Sequence, residues 1–327
     1  MTDSAIQACP LGAGEVVEVC VVGADRKPLA DIAVELQRAP DQVLRLLTGS
    51  DGSARFEGLE EGDYSLSLFE LDQDAWSLAE TSVVGTAVQG NPKPAAWQNP
   101  PQASVASPIR HTISAGESTI SLSELHGHFA QTIWADPGNE SLRQGRQDMN
   151  ALLPGDELTI PARRRKTIAA SIGKRYVLQR KGIPAIYRLQ VRSGGRPVGR
   201  CAYLLTVDKH LVLDGWTDDN GVLATWLPAQ SREGVLEIQS NGYWSDLTLR
   251  LRFGGLGPLE DDQGVAHRLA NLGILVRREG APSADELEAA VRTFQGLQGL
   301  EVTGRIDSLL RERLYAVHDQ SSDDVGQ

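Results

Sequence analysis

Few side chains in this chain of 327 residues have types and spacings that could carry out chemistry. His126 and His128 form a close pair, but zinc would need further ligands, and no cysteine or third histidine lies nearby. We therefore expect both histidines to lie at the surface or in a turn. Glu124 and Asp136 are candidate acids, but a glycosidase needs two carboxylates that flank a cleft. The residues thus predict no catalytic site, no metal site and no cofactor, and the motifs of serine hydrolases and phosphate loops do not occur.

A second group of oxygen-bearing side chains lies at Asp51, Asp218, Asp219 and Asn220. Such groups are the ligands that calcium prefers, but the Gly- and Asp-rich loop expected of a calcium site is missing. Both Asp51 and Asn220 precede a glycine between alternating strands, where hairpin turns commonly form. We interpret these residues as turn residues.

A basic cluster interrupts a chain whose net charge is −11. Between residues 158 and 207 there are twelve basic residues and no acidic one. The densest run is Arg163, Arg164, Arg165 and Lys166. This asymmetry predicts an electrostatic contact, either with an anionic partner or with acidic parts of the same chain. Nucleic acid is not the expected partner, because no nucleic-acid-binding motif accompanies the arginines.

Composition limits the compartment and the class of protein. Apolar residues make up 41% of the chain, yet no run approaches the roughly 20 apolar residues of a membrane span. The first 19 residues lack a basic start and an apolar stretch, so we expect no classical secretory signal and synthesis in the cytosol. Cys9, Cys20 and Cys201 are odd in number and widely spaced, which favours a reducing compartment, although Cys9 and Cys20 could pair across a hairpin.

Three short amphipathic helices are predicted near the end of the chain. The first stops at Gly273, the second opens on the capping box Ser283–Glu286, and the third follows Asp307. Their apolar faces carry, in chain order, Val265, Leu269 and Leu272, then Leu287, Val291, Phe294 and Leu297, and then Leu310, Leu314 and Val317. The segment resembles the three-helix peptidoglycan-binding domain found beside many cell-wall enzymes, and it carries this family's pattern at Phe294-Gln295, Gly299-Leu300, Thr303-Gly304 and Asp307.

That resemblance implies binding of peptidoglycan by a shallow groove, without cleavage. Phe294 lies in the apolar stripe and is assigned to the core. The candidate peptidoglycan contacts are polar residues around the helix connections: Arg268, Asn271, Gln295, Gln298 and Arg305. The basic residues Arg163 to Lys166 are the candidate contacts to a protein partner.

Two earlier segments of the chain repeat each other. In both, 24 residues separate a proline from a turn glycine, Pro28 from Gly52 and Pro197 from Gly221. An alternating strand lies between them and a Gly-led strand follows, which is typical of a β-sandwich. Both segments resemble the carboxypeptidase-regulatory, transthyretin-type sandwich that serves as a spacer in surface and secreted proteins.

The middle of the chain resembles a LysM module, a βααβ unit. The phrase from Leu153 to Pro161 carries this resemblance, and the long insert Trp134–Asn150 is similar to the variant in phage tails and contractile injection machines. Locally, Ser118–Ser123 alternates with a period of two, which favours a strand where the resemblance implies a helix.

We therefore predict a multidomain α+β protein with β-sandwich modules, a βααβ LysM-like module and a C-terminal three-helix bundle. The expected boundaries are a sandwich at 1–82, a Pro-rich linker at 83–110, the LysM-like module at 111–162, a basic segment with a second sandwich at 163–253, the bundle at 254–318 and a disordered tail at 319–327.

This order of modules resembles accessory proteins encoded beside the VgrG and PAAR spike genes of type VI secretion systems. The resemblance implies a non-enzymatic adaptor that binds peptidoglycan, docks on a spike or effector protein, and is carried by the injection apparatus to the periplasm of a target cell. Two alternatives stay open: a periplasmic cell-wall anchoring scaffold, and a secreted effector that acts on the wall.

Overall fold

The computed structural model describes residues 16–39, 42–84, 107–146, 148–193, 196–239, 246–276 and 280–319. Contacts between residues divide the chain into two compact units. The first unit takes Met1–Ser107, His126–Phe129 and Ala162–Ile183, and the second takes Pro108–Leu125, Ala130–Pro161 and Pro184–Gln327. The first unit consists mainly of strands and the second combines strands with helices, three of which lie near the C-terminus, so the predicted α+β class with β-sandwich modules is confirmed.

The first unit is a sandwich of two four-stranded sheets, which we call the first sandwich. Its strands are β1 (Val16–Val22), β2 (Ala33–Ala39), β3 (Gln42–Leu47), β4 (Ser53–Glu57), β5 (Tyr64–Ser67), β6 (Trp76–Val83), β9 (Ile168–Ala170) and β10 (Lys174–Arg180). One sheet has the order β4-β1-β10-β6 and the other β3-β2-β5-β9. Between them lie the inward side chains of alternating strands, including Val19, Leu36, Leu66, Trp76 and Leu178.

The strand β10 completes the first sandwich from a distant part of the sequence. It runs parallel to β1, with Val17 opposite Lys174, and antiparallel to β6 on its other side. The expected boundary at residue 163 is therefore wrong. Residues 162–183 belong to the first sandwich because β9 and β10 supply two of its strands, and the second sandwich begins only at Pro184.

An inserted module (residues 108–161) lies in the sequence between β6 and β9. Its elements are β7 (Ile109–Thr112), α1 (Thr119–Leu125), α2 (Ala130–Trp134), a 3₁₀ turn (Pro137–Asn139), α3 (Glu140–Arg146) and β8 (Glu157–Ile160). The strands β7 and β8 pair antiparallel, so the elements follow the predicted strand–helix–helix–strand order with an additional short helix. The buried Asn139 joins the helices to β8, because its Nδ2 donates to the carbonyls of Ile133 (2.7 Å) and Thr159 (2.8 Å).

The ends of the expected linker at 83–110 lie in strands. Val83 is the last residue of β6, and Ile109 begins β7. Residues 85–106, which carry its prolines, lie outside the described part of the chain.

The second sandwich (residues 184–253) lies in the second unit. Its strands are β11 (Ala185–Gln190), β12 (Arg192–Ser193), β13 (Arg196–Pro197), β14 (Ala202–Val207), β15 (Leu211–Trp216), β16 (Val222–Leu227), β17 (Glu233–Ile238) and β18 (Leu247–Arg252). A two-stranded sheet, β11-β16, packs against a four-stranded sheet of order β15-β14-β17-β18. Tyr203, Leu205, Leu223 and Leu236 are buried between them.

The turn that follows β3 in the first sandwich recurs after β15 in the second. Gly52 and Gly221 have φ angles of +71° and +74°, which only glycine adopts without strain. In both turns a Cβ atom would lie 2.6 Å from a carbonyl oxygen, that of Val21 or that of Val191. The oxygens of Asp51 and Asp218 accept backbone N–H groups within these turns, as expected of turn residues.

The C-terminal bundle (residues 254–319) consists of α4 (Asp262–Asn271), α5 (Ala284–Leu297) and α6 (Ser308–His318). Side-chain caps open all three helices, from Asp261, Ser283 and Asp307, and Ser283 forms the predicted capping box with Glu286. Phe294 is fully buried, as predicted, in a core that also contains Val265, Leu269, Val291, Leu310 and Leu314.

Candidate functional site

None of the residues first considered for chemistry forms a reactive site in the described part of the chain. Asp136 accepts a hydrogen bond from the N–H of Gly138 (2.8 Å) and so caps a 3₁₀ turn. His128 is buried rather than exposed, and its carbonyl accepts from Nη2 of Arg180 (2.7 Å). The described residues include no cluster of three metal-ligating side chains. Within the same residues, no helix is both long and apolar enough to cross a membrane.

The densest run of the basic cluster, Arg163 to Lys166, contacts other residues of the first sandwich. Nη1 of Arg163 donates to the carbonyl of Glu70, Arg165 pairs with the carboxylate of Glu35, and Nζ of Lys166 lies 4.6 Å from the centre of the Trp76 ring. These four residues therefore have partners within the chain. A contact within the chain is one of the two that the charge asymmetry predicts. The docking of an external partner on these residues stays a prediction.

Arg164 makes the most extensive of these contacts. Its backbone N–H and its guanidinium both donate to the buried carboxylate of Asp72, at 2.8 Å and 2.9 Å, and the guanidinium also pairs with Asp74. Burial tends to raise the pKa of Asp72, but the hydrogen bonds from Arg164 and from the N–H of Asp74 outweigh burial and lower it. The bridge therefore holds the segment before β9 against the loop before β6.

The candidate contacts in the C-terminal bundle fall into a buried pair and an exposed group. Arg268 is 1% exposed, and its Nε donates to Asp319 (2.8 Å) while Nη1 donates to the carbonyls of Gly257 (2.8 Å) and Gly264 (3.1 Å). Arg268 therefore joins Gly257 at the start of the bundle to Asp319 at its end, and it does not face a ligand. Asp319, which we expected in a disordered tail, is part of the bundle for the same reason, whereas residues 320–327 lie outside the described part.

Gln295 is the second buried member and determines the shape of the connection between α5 and α6. Its Oε1 accepts the N–H groups of Thr303 (3.0 Å) and Gly304 (2.9 Å). Its Nε2 donates to Oγ1 of Thr303 (3.0 Å) and to the carbonyl of Arg305 (3.3 Å). Because Gln295 is only 2% exposed, it acts as a positioning residue that holds the backbone of the connection.

The other three candidates lie at the surface of the bundle. Gln298 is half-buried, and its Oε1 accepts from Nε of Arg313 (3.0 Å). Arg305 is exposed on the connection that Gln295 holds, and its guanidinium makes no ion pair with any described residue. Asn271 bonds to Nε2 of His318 (3.1 Å) where α4 and α6 end.

Exposed apolar side chains accompany these polar groups. Leu297 at the end of α5 is 68% exposed, and Val302 in the connection is 51% exposed. The connection between α5 and α6 thus exposes the guanidinium of Arg305, the amide of Gln298 and the apolar carbons of Leu297 and Val302. Gln295 fixes its backbone through hydrogen bonds. The sequence analysis placed Leu297 on the buried face of the second helix because of its helical spacing, and the structure shows that it is exposed.

Comparison with known families identifies this module. Residues 263–314 match the protein family described as "Putative peptidoglycan binding domain", so the predicted C-terminal peptidoglycan-binding domain is confirmed. This family is a binding family, and its presence supports cell-wall binding. Among curated proteins, none matches the chain.

Solved structures show only distant similarity. The TIE protein of Bacillus anthracis is 12% identical with a TM-score of 0.24, over 73% of this chain and 31% of that one. A streptococcal ancillary pilin is 8% identical with a TM-score of 0.20, over 75% and 61%. The Bacillus cereus major pilin BcpA is 10% identical with a TM-score of 0.18, over 73% and 95%. The chain thus spans less than two thirds of the first two proteins, and such TM-scores support no conclusion about function.

Proposed function

We propose that this chain is a non-enzymatic adaptor that binds peptidoglycan through its C-terminal bundle. The observation that carries the proposal is the family match over 263–314, which covers α4 from its second residue, all of α5 and the first seven residues of α6. The two sandwiches and the inserted module then serve as the frame that presents this binding module.

The connection between α5 and α6 is the proposed contact surface. Peptidoglycan combines sugar hydroxyls with peptide amides and carboxylates, so a suitable surface needs a cation beside amide groups. Arg305 supplies the cation, and Gln298 supplies the amide. Arginine binds carboxylates strongly because two parallel N–H groups donate to them. Gln295 fixes the backbone that carries Arg305, which reduces the entropy lost on binding.

Retention of the full chain on purified sacculi tests this surface. We expect the unaltered protein to co-sediment with sacculi and Arg305→Ala to bind at least about tenfold more weakly, since a charge-assisted hydrogen bond contributes about 1.5–3 kcal/mol. Arg196→Ala is the matched control, because Arg196 is an exposed arginine of the second sandwich that, like Arg305, makes no ion pair with any described residue. Equal retention of both variants would remove Arg305 from the site, and no retention of the unaltered protein would refute wall binding.

The absence of enzymatic activity is proposed from the binding character of the matched family. Incubation of the pure protein with sacculi should release no soluble muropeptides above a buffer control. Release would instead support the alternative of a wall-active effector.

The second contact of the proposed adaptor is a spike or effector protein of a type VI or related injection system. Support comes from the resemblance of residues 111–162 to tail-type LysM modules and from the order of the modules. We expect the full chain to co-purify with a VgrG or PAAR protein encoded beside it and to reach the periplasm of a target cell with it. Retention on sacculi without any such co-purification would favour the wall-anchoring scaffold.

A further inference from the structure

Two arginines of the C-terminal bundle, Arg305 and Arg313, have no carboxylate partner among the described residues. Both are exposed, one on the connection between α5 and α6 and the other in α6. The other arginines that the structure describes in this bundle each pair with an acidic residue: Arg268 with Asp319, Arg292 with Glu288 and Arg311 with Asp262. The positive charge of the first two is therefore not neutralised within the described part of the bundle.

Both unpaired arginines lie beside the last turn of α5. Gln295 holds the backbone of Arg305, because its Nε2 donates to the carbonyl of that residue (3.3 Å). Gln298, almost one helical turn further on, accepts a hydrogen bond from Nε of Arg313 (3.0 Å). Residues three apart on a helix are neighbours on its surface, with Cβ atoms about 5–6 Å apart. The two glutamines therefore bring both cations to the same surface of the bundle.

The side-chain groups that stay available around these cations are hydrogen-bond donors. Arginine has only donors, and Gln298 keeps its Nε2 because its Oε1 already accepts from Arg313. Oγ1 of Thr303 accepts from both Gln295 and the N–H of Arg305, so only its hydroxyl hydrogen is left. A carboxylate only accepts hydrogen bonds, whereas a sugar hydroxyl both donates and accepts. This surface therefore suits a carboxylate better than a sugar hydroxyl.

The acidic residues nearby do not occupy the two cations. Glu301 and Glu312 are exposed, and neither forms an ion pair with either arginine. Glu312 lies about 100° around α6 from Arg313, on the side that faces away from the core of the bundle. Oδ1 of Asp307 accepts the N–H of Leu310 (2.8 Å) and so caps α6.

Apolar side chains border the cations and complete the match to one part of the wall polymer. Leu309, at the start of α6, is 56% exposed and adds to the exposed Leu297 and Val302. The stem peptide of peptidoglycan carries free carboxylates and the methyl groups of alanines, whereas the lactyl carboxyl groups of the glycan strand are used in its links to the peptides. We propose that Arg305 and Arg313 bind free carboxylates of the stem peptide, so that the bundle recognises the peptide rather than the glycan strand. This inference rests on the proposed wall binding and names the part of the polymer that is bound.

Chemical amidation of purified sacculi tests which part of the polymer is bound. Carbodiimide coupling to methylamine turns the free carboxylates of the peptides into neutral amides and leaves the glycan strands unchanged. The unaltered full chain should bind these sacculi at least about tenfold more weakly than sacculi treated with methylamine alone. Long-range electrostatics would act in the opposite direction, because the chain has a net charge of −11 and amidation removes negative charge from the wall.

Variants then test whether the arginines are responsible. Arg313→Ala should bind untreated sacculi at least about tenfold more weakly, and amidation should weaken this variant by a smaller factor than it weakens the unaltered chain. Glu312→Ala is the matched control, because Glu312 is an exposed neighbour in the same helix whose loss removes no positive charge. Its retention should not fall.

The outcomes separate this inference from the proposed function. Equal binding of the unaltered chain to amidated and mock-treated sacculi would overturn recognition of the carboxylates and leave wall binding intact. Equal losses for Arg313→Ala and Glu312→Ala would overturn the role of the arginine charge. No binding of the unaltered chain to either preparation would refute the proposed function and this inference together.

Discussion

Thr48 in the first sandwich and Thr217 in the second make the same pair of hydrogen bonds, each within its own sandwich. Oγ1 of Thr48 donates to the carbonyl of Leu29 (2.6 Å) and accepts the N–H of Ile32 (3.0 Å). Oγ1 of Thr217 donates to the carbonyl of Val198 (2.8 Å) and accepts the N–H of Cys201 (3.0 Å). Every member of the second set lies 169 positions after its counterpart. The same arrangement of hydrogen bonds therefore occurs once in each half of the repeat.

The first prediction concerns this circuit. Thr48→Val keeps the shape of the side chain but leaves a buried N–H and a buried carbonyl without their partner, so the free energy of unfolding should fall by about 1–3 kcal/mol. Hydrogen exchange should accelerate in β1 and β2 and stay unchanged in the second sandwich. Thr217→Val should give the converse pattern. The exposed Thr81 supplies the control, and a Thr81→Val variant with the same loss would contradict this explanation.

The second prediction concerns pH. The pKa of Asp72 is lower in the folded protein than in the unfolded chain, so its ionised form stabilises the first sandwich above a pH of about 4, and this contribution disappears as the pH falls through the folded value. Asp72→Asn should therefore reduce the free energy of unfolding by about 1.5–3 kcal/mol at pH 7, and by less at pH 3.

A urea titration followed by tryptophan fluorescence, to which the buried Trp76 of the first sandwich contributes, measures this loss. Asp74→Asn is the matched control, because Asp74 pairs with the same Arg164 but has 48% of its side chain exposed. Its loss should stay below about 1 kcal/mol. A deficit of Asp72→Asn that is equally large at pH 3 and pH 7 would exclude the charge of Asp72 as the cause.

The third prediction concerns two glycines in helices of the C-terminal bundle. A Cβ atom on Gly264 would lie 1.7 Å from the carbonyl oxygen of Pro258, whereas one on Gly296 would meet only a side-chain carbon of Val302 at 4.0 Å. Gly264→Ala should therefore destabilise the bundle by about 1–3 kcal/mol or more, while Gly296→Ala should stabilise α5 by about 0.5–1 kcal/mol. Hydrogen exchange of α4 and α5 in the full chain measures both effects. Equal protection in the two variants would show that the chain does not approach Gly264 this closely.

The fourth prediction separates positioning from surface contact. Gln295→Ala removes four hydrogen bonds to the connection between α5 and α6, so residues 303–305 should lose protection from exchange and retention on sacculi should fall with it. Gln298→Ala removes only the hydrogen bond that Nε of Arg313 donates to this half-exposed side chain. It should leave the protection of residues 303–305 intact. If Gln295→Ala kept full protection at the connection, its proposed role in shaping the surface would be refuted.

Local patterns predicted the repeated turns and the helix starts. The spacing from Pro28 to Gly52 recurs from Pro197 to Gly221, and both glycines have the positive φ that such turns require. The capping box at Ser283 depends on residues three positions apart, which sequence shows directly.

Other features depended on residues far apart in the sequence. Nothing local distinguishes β10 as a partner of β1, because a parallel pairing has no turn to mark it. The burial of Arg268 and Gln295 was missed for a related reason. Both are residue types found mostly at surfaces, and burial became favourable only because backbone groups from other segments satisfy them. The alternation over 118–123 also favoured a strand, whereas Thr119–Leu125 forms α1 and Oγ of Ser123 donates to the carbonyl of Ile120 within that helix.

The position of β10 between β1 and β6 has a consequence for how the chain tolerates breaks. A protease that cut once between β6 and β9 would leave two fragments joined by main-chain hydrogen bonds along both edges of β10. A premature stop codon at the same place would instead remove the central strand and leave Val19 and Trp76 without the packing of Leu178. We therefore expect the first sandwich to tolerate a nick but not a truncation, and any continuous stretch of the gene that encodes all of its strands also encodes the inserted module.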